Sequence, residues 1–499
     1  MFIPAYPLPL IEIASYIKAR QPQIAVEIRS LAMDYGLPIS KAGKARVYAQ
    51  LAEDIARLKP RGVGISCTAI AQAKETLQLC EHIKTWVPEA CIFIGGYFPS
   101  IYYEEILAIS KAVDFIVIGE GEAPALKIIE SLANGERPPR KDIAGLAWRD
   151  GDEIHRSAPG RRFDLQRKAL LDLSLLKNPD AYQILPYSFS RGCPHRCSFC
   201  MEDVLRPQRR TVPSAVIQQD LMNMGNWSNA QTLLVCDALF KSFDFFPLLR
   251  KLQKKVNFET RCDALDPALL DQFADVCGIL ALGLESASYR SLRRMNKIKD
   301  RAHFQTYLGQ AEAIFKRAVK NGIPMMIFMI AGYPGDREQD LKESLAFVQK
   351  LARIKGDGGY IFKIGETRVY PKTRIHEWAM QEPGVVVEDQ GLFGESVVRQ
   401  PSKNLRFGTV QAYMQEIFSL SHSTSKIGQR LNKLMPFFRI PVQALKDENI
   451  PESCYLGENR EILNARAASL AAFRTCLPNL VDKYNAARAD QRSTRILPL

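Results

Sequence analysis

Three cysteines stand close together in Ser190-Arg-Gly-Cys193-Pro-His-Arg-Cys197-Ser-Phe-Cys200, a C-x3-C-x2-C spacing. Thiolates on one short loop can converge on one metal centre. Iron–sulfur clusters are as a rule held by four thiolates. Three leave one iron with an open position, and an open metal position is where a reagent can coordinate. Plainer readings exist. Buried thiols are one, although a Gly/Pro/Arg loop is unlike core packing. A zinc site is another, and it needs a fourth ligand, for which His195 sits too close within the same turn. A redox pair is the third, and it leaves one cysteine over.

A loop of this kind needs a strand to carry it. Candidate strands fall at 185–190, 232–236, 256–261, 279–284, 325–331 and 360–369, separated by helical patterns such as 213–224 and 303–321. Six strand–helix units describe a partial, open barrel, related in logic to the eightfold one. Upstream, short apolar runs at 24–28, 62–66, 91–96 and from Asp114 alternate with helical stretches at 10–19 and 73–86. That rhythm predicts a doubly wound parallel sheet with crossover helices. Its ligands are expected beyond the carboxyl ends of the strands, where the Gly95-Gly96 and 119–122 loops fall. The expected division is an α/β domain at 1–135, a linker at 136–180, the barrel at 181–375 and a mainly helical region at 376–499. Glu136-Arg-Pro-Pro-Arg140 and Pro159-Gly160 carry the linker reading.

The cysteine segment resembles the radical S-adenosylmethionine (SAM) superfamily, whose signature is this loop after the first barrel strand. An aromatic residue usually precedes the last cysteine there, and here it is Phe199. The resemblance implies a 4Fe–4S cluster on Cys193, Cys197 and Cys200, with SAM chelating the open iron. One electron then splits SAM into methionine and a 5′-deoxyadenosyl radical, which abstracts hydrogen from an unactivated C–H bond. Later strand ends follow the family's order. Asp237 stands where a polar group meets the SAM amine, and Arg261 is suited to the SAM carboxylate. Glu285 and Ser286 are candidates for SAM's polar groups, and Gly332 for close backbone approach on the adenine side. This part of the resemblance covers roughly 180–375.

The N-terminal runs Gly62-Val-Gly-Ile-Ser66, Phe93-Ile-Gly-Gly-Tyr97 and Asp114-Phe-Ile-Val-Ile-Gly-Glu-Gly-Glu122 resemble the cobalamin-binding domain of one radical SAM class. Ser66, Gly95, Gly96, Glu120, Gly121 and Glu122 would lie nearest the cofactor. The chain lacks Asp-x-His-x-x-Gly, the usual source of a lower cobalt ligand. Only Met1-Phe-Ile precedes the Pro-rich segment, so the family's first strand is expected to be missing and a sheet edge left open.

Cobalamin-dependent C-methylation is the leading expectation. The runner-up is a cobalamin-independent maturase of ribosomal peptides, such as an epimerase, or a deoxygenating enzyme. An epimerase needs a hydrogen donor, for which Cys262, Cys454 and Cys476 are candidates. A flavodoxin or ferredoxin would supply electrons. The chain carries 499 residues, a net charge of +13, 46% hydrophobic residues and 11 cysteines. The charge suits an acidic small-molecule or peptide substrate, and without a nucleic-acid motif it is read mostly as solvated surface. With no signal-like start and no apolar run of membrane length, a cytoplasmic enzyme is expected, its cysteines serving as thiols and ligands.

Overall fold

The computed structural model describes residues 5–35, 41–177, 179–389, 391–393 and 395–422. The architecture below belongs to the unit 1–420.

Five strands form the N-terminal sheet in chain order: β1 Gly62–Ser66, β2 Cys91–Gly95, β3 Phe115–Val117, β4 Leu146–Asp150 and β5 Glu153–Arg156. The first three are parallel, and β4 and β5 add antiparallel. Helices cover both faces. Ala73–Trp86 packs Leu77, Cys80 and Ile83 against Ile92 and Ile94, while Glu122–Ala133 packs Ile128 against Phe115 and Val117.

The second sheet is the barrel wall, all parallel: β6 Ile184–Tyr187, β9 Thr232–Val235, β10 Lys255–Arg261, β11 Cys277–Glu285, β12 Met325–Ala331 and β13 Tyr360–Glu366. Between β6 and β9 runs a two-stranded ribbon, β7 Ser190–Arg191 and β8 Arg210–Thr211, and its loop carries the cysteines. Helices pack the outer face. The longest, Arg301–Lys320, starts where the Asp300 carboxylate accepts the His303 N–H and buries Tyr307, Ile314 and Phe315. One core joins this layer to the first helix, Leu8–Arg20, through Leu8, Ile11 and Tyr16.

Several expectations change. Residues 24–28 are irregular: among the described residues no strand pairs with them, and the adjoining Arg29 is held by Glu27 and Asp54. The linker stretch contains β4 and β5, a hairpin whose two-residue turn, Gly151-Asp152, has Gly151 at φ +61°. That turn chemistry is a hairpin signal in the sequence. Ala5 bridges Ile184 in parallel, alongside the barrel's first strand. Strands β15 Val386–Glu388 and β16 Ser396–Gln400, beyond 375, form a small antiparallel sheet with β14 Arg368–Val369, so the described part of the region read as mainly helical is mixed. Among the described residues no helix is long and apolar enough to cross a membrane.

Candidate active site

The cysteine loop begins with a residue that only glycine can supply. Gly192 has φ +81°, and a Cβ there would stand 2.2 Å from the Gln208 carbonyl oxygen. The chain therefore turns tightly enough for the Cys193 N–H to reach the Arg206 carbonyl at 3.1 Å. Cys193 and Cys197 are buried and Cys200 is half-buried. Burial pushes the Cys193 thiol up and the Cys200 thiol up to about 12.

Ser198 braces the loop. Its N–H donates to Met295 O at 3.1 Å and its hydroxyl to Arg294 O at 2.8 Å, and its Oγ lies 2.7 Å from the Tyr333 hydroxyl. Tyr333 is itself held by Asp336, whose Oδ2 accepts the Tyr333 N–H at 2.8 Å and whose Oδ1 accepts the Ser291 hydroxyl at 2.7 Å. Burial pushes the Asp336 carboxyl up to about 7. The folded state thus keeps a proton that the unfolded chain releases near pH ~4. Its stabilisation is complete below that pH and is lost as pH rises through about 7. Asp336→Asn is expected to flatten the loss of stability between pH 5 and 8, measured as the shift in urea midpoint. An unchanged slope would show that Asp336 does not hold the proton.

A sulfur-only donor set at the carboxyl end of a barrel strand fits an iron–sulfur cluster. Among the described residues no three His, Cys, Asp or Glu side chains are grouped as ligands of a single ion. A cluster does not ask for that, since each thiolate takes a different iron.

The SAM candidates are engaged within the protein. Asp237 is buried, its two oxygens accepting the Phe189 N–H and the Ser190 hydroxyl, and burial pushes its carboxyl up to about 6. It anchors the strand end from which the cysteine loop departs. Arg261 makes a bidentate pair with Asp263 at 2.8 Å, donates to Lys297 O at 2.9 Å and aims Nη1 at the Cys197 sulfur at 3.1 Å. Glu285 follows a bulge in β11, at φ +64°, which folds its carboxylate back onto Lys297 Nζ at 2.8 Å. The Ser286 hydroxyl lies 3.0 Å from that of Ser344. The space beside Gly332 is occupied by Pro401 and Val410, so the glycine first serves packing. Phe199 is half-buried against the main core. Of the proposed hydrogen donors, Cys262 is fully buried and bonded to Gly283 O, which removes it from the barrel interior. Cys454 and Cys476 lie outside the described residues. Cys236, which sequence reasoning passed over, is exposed just past β9.

The N-terminal sheet ends against this loop. Ser66, Gly95 and Gly96 line the ends of β1 and β2, and Gly119 follows β3 with open space where a side chain would stand. At Gly96, φ +118°, a Cβ would meet the Cys67 carbonyl oxygen at 2.2 Å. This small, uncluttered edge fits a flat cofactor over the sheet end. Glu120 and Glu122 do not face it freely. Buried Arg191 pairs with Glu122 at 2.5 Å, Glu12 at 2.9 Å and Glu120 at 3.7 Å, and Arg210 pairs with Glu120 at 2.6 Å. Burial disfavours the Arg191 charge, but the carboxylates of Glu12 and Glu122 more than reverse this and raise its pKa. Ahead of these, Tyr97 donates its hydroxyl to Glu202 on the helix that follows Cys200. Sequence reading missed this clasp because its members are far apart along the chain.

Comparison with known proteins agrees with this arrangement. The B12 binding domain family matches residues 13–129, and the radical SAM superfamily matches 187–348. The chain thus carries a radical SAM domain with a B12-binding-type domain ahead of it. It is 35% identical over 123 residues to the anaerobic magnesium-protoporphyrin IX monomethyl ester cyclase of Synechocystis sp., 24% of each chain. It is 29% identical over 160 residues to the hopanoid C-3 methylase of Methylococcus capsulatus, 31% of this chain and 30% of that one. The match thus spans about a quarter of the cyclase's length. The fold is that of the methyltransferase TsrM from Kitasatospora setae: with tryptophan substrate and a SAM analogue bound, its TM-score is 0.64 at 15% identity over 83% of this chain and 86% of that one.

Proposed function

We propose that this enzyme binds cobalamin over the carboxyl ends of β1 to β3 and methylates an unactivated carbon of a small molecule or peptide at the barrel mouth. The observation that carries this reading is the seam between the two sheets. Tyr97 at the end of β2 contacts Glu202 just past Cys200, and Glu120 and Glu122 past β3 grip Arg191 just before Cys193. A cofactor on the first sheet would therefore stand beside the cysteine loop. Likeness to methyltransferases supports the same reading.

When bound, the cluster supplies the electron that splits SAM, and cobalamin supplies the methyl group. The chain's own residues hold and orient. Cys193, Cys197 and Cys200 take the irons, and Arg261 donates to the Cys197 sulfur. Phe199, Asp237, Arg261, Glu285, Ser286 and Gly332 would line the SAM site, the charged members held in place by their partners within the protein. Ser66, Gly95, Gly96 and the Gly121 loop would floor the cobalamin site, with Gly121 packed on Ile13 and with Glu120 and Glu122 fixing that loop through Arg191 and Arg210. A flavodoxin or ferredoxin is the electron donor.

The test is anaerobic titration of the iron-reconstituted protein with cobalamin, followed by turnover with methyl-deuterated SAM. Cobalamin uptake and a labelled methyl gain on the substrate are expected. Intact SAM cleavage without cobalamin uptake would overturn methylation. The cobalamin-independent maturase or deoxygenating reading would then stand, with deuterium gain in heavy water as the mark of an epimerase.

A further inference from the structure

We propose that the barrel interior is a binding site for a zwitterion, with Lys363 reading a carboxylate, Glu259 reading an ammonium group and Phe328 packing an apolar body. This rests on the radical SAM reading above and names the class of substrate.

Barrel strands present alternate residues to the helices and to the interior. On β10, Phe258 faces outward, its ring 5.1 Å from Phe240 and 6.0 Å from Phe246 of the helix Phe246–Lys251. On β13, Tyr360 and Phe362 face outward, their rings 4.8 and 6.2 Å from Phe315 of Arg301–Lys320. Glu259 and Arg261, and equally Lys363, therefore face the interior. Strand register places Arg261, Gly283, Phe328 and Lys363 in one row across β10 to β13. Arg261 at one end of that row touches the Cys197 sulfur. The row therefore leads from the cysteine loop to Lys363, whose Nζ lies 5.2 Å from the Phe328 ring centre. Glu259 stands one inward step below Arg261, level with the small Ala281. A side chain at Gly365, one inward step above Lys363, would meet nothing within 4 Å, so the mouth is open there.

Most charges around this interior are matched. Arg261 pairs with Asp263, and Glu285 with Lys297. Among the described residues, neither the Glu259 carboxylate nor the Lys363 ammonium has a side-chain hydrogen bond or an ion pair, although the Glu259 carbonyl accepts the Phe240 N–H. They share one space all the same: burial and then the like charge of Glu285 raise the Glu259 pKa, and Lys297 and Lys363 oppose that rise. Both residues are exposed to solvent, so each charge is free to meet a ligand, and opposite charges facing one barrel interior mark a candidate binding site. An anionic substrate would satisfy Lys363 and be repelled by Glu259, and a cationic one the reverse. Only a molecule carrying both charges matches both.

The test uses the anaerobic, cluster-loaded enzyme and three probes sharing one apolar body: L-phenylalanine, phenethylamine and 3-phenylpropionate. Equilibrium dialysis is expected to show phenylalanine binding about tenfold tighter than either singly charged probe, a modest return for one charge-assisted hydrogen bond. Lys363→Met should erase its advantage over phenethylamine alone, and Glu259→Gln its advantage over 3-phenylpropionate alone. Lys363→Arg should keep the preference, which separates charge reading from a folding defect. Equal binding of the three probes, binding of none, or variants that leave the ranking intact would overturn the proposal. SAM cleavage by reduced wild-type enzyme is measured alongside. Cleavage without a zwitterion preference sinks this inference alone, and absence of cleavage sinks the reading beneath it.

Discussion

Replacing Cys193, Cys197 and Cys200 together with alanine is expected to abolish iron loading, the broad visible absorption of the cluster and all conversion of SAM to 5′-deoxyadenosine. The loss should be complete. Each thiolate takes a separate iron, and among the described residues the other cysteines are held elsewhere: Cys262 is buried in the barrel wall and Cys236 lies past the next strand. The fold should survive. The loop is positioned by Gly192, by Ser198 on Met295, Arg294 and Tyr333, and by the ribbon of β7 and β8, none of which uses a cysteine side chain. Far-UV circular dichroism of the triple variant should therefore match the parent. Iron analysis after anaerobic reconstitution and chromatography of the SAM products read the result. A variant that still cleaved SAM would remove the basis for the enzyme class.

Arg191→Met should be the most damaging single change at the seam. It leaves Glu12 and Glu122 as buried carboxylates without their cation, their side chains 8% and 5% exposed. Breaking a buried pair by removing one partner costs about 3–5 kcal/mol, mostly because the remaining charge is stranded. Here two are stranded, and one oxygen of Glu12 already lacks a hydrogen-bond partner. Glu120 retains Arg210 and should suffer less. The expected result is a large fall in the urea midpoint, with cluster loading weakened because Arg191 adjoins the turn at Gly192. Adding Glu12→Gln and Glu122→Gln to the Arg191→Met background should restore part of the stability, since the stranded charges are then gone. A midpoint that barely moved in the single variant, or that fell further in the triple variant, would show that the clasp does not join the two sheets.

The chemistry of the cysteine loop was legible in the sequence because it is local. Three thiols, a glycine and a strand within a dozen residues define the loop before any packing is known. The barrel was legible for a related reason: period-two burial in 325–331 and the amphipathic run at 303–321 are properties of short segments. The hairpin of β4 and β5 was legible in principle, through Gly151-Asp152, and was hidden by the polar residues on either side.

What a charged side chain does here was not local. Glu120 and Glu122 sit where a cofactor loop should be, yet their partners are Arg191 and Arg210, about 70 to 90 residues away. Arg261 was read as a carboxylate ligand, and in the fold it reaches a cysteine 64 residues back. Glu285 is turned onto Lys297 by a bulge that no spacing rule announces. Strand periodicity says which face a residue takes but not what stands opposite. That depends on how the two sheets meet and on the register between neighbouring strands. Charge is the property most exposed to this, because a buried ion settles on whichever counter-ion the packed structure brings within reach.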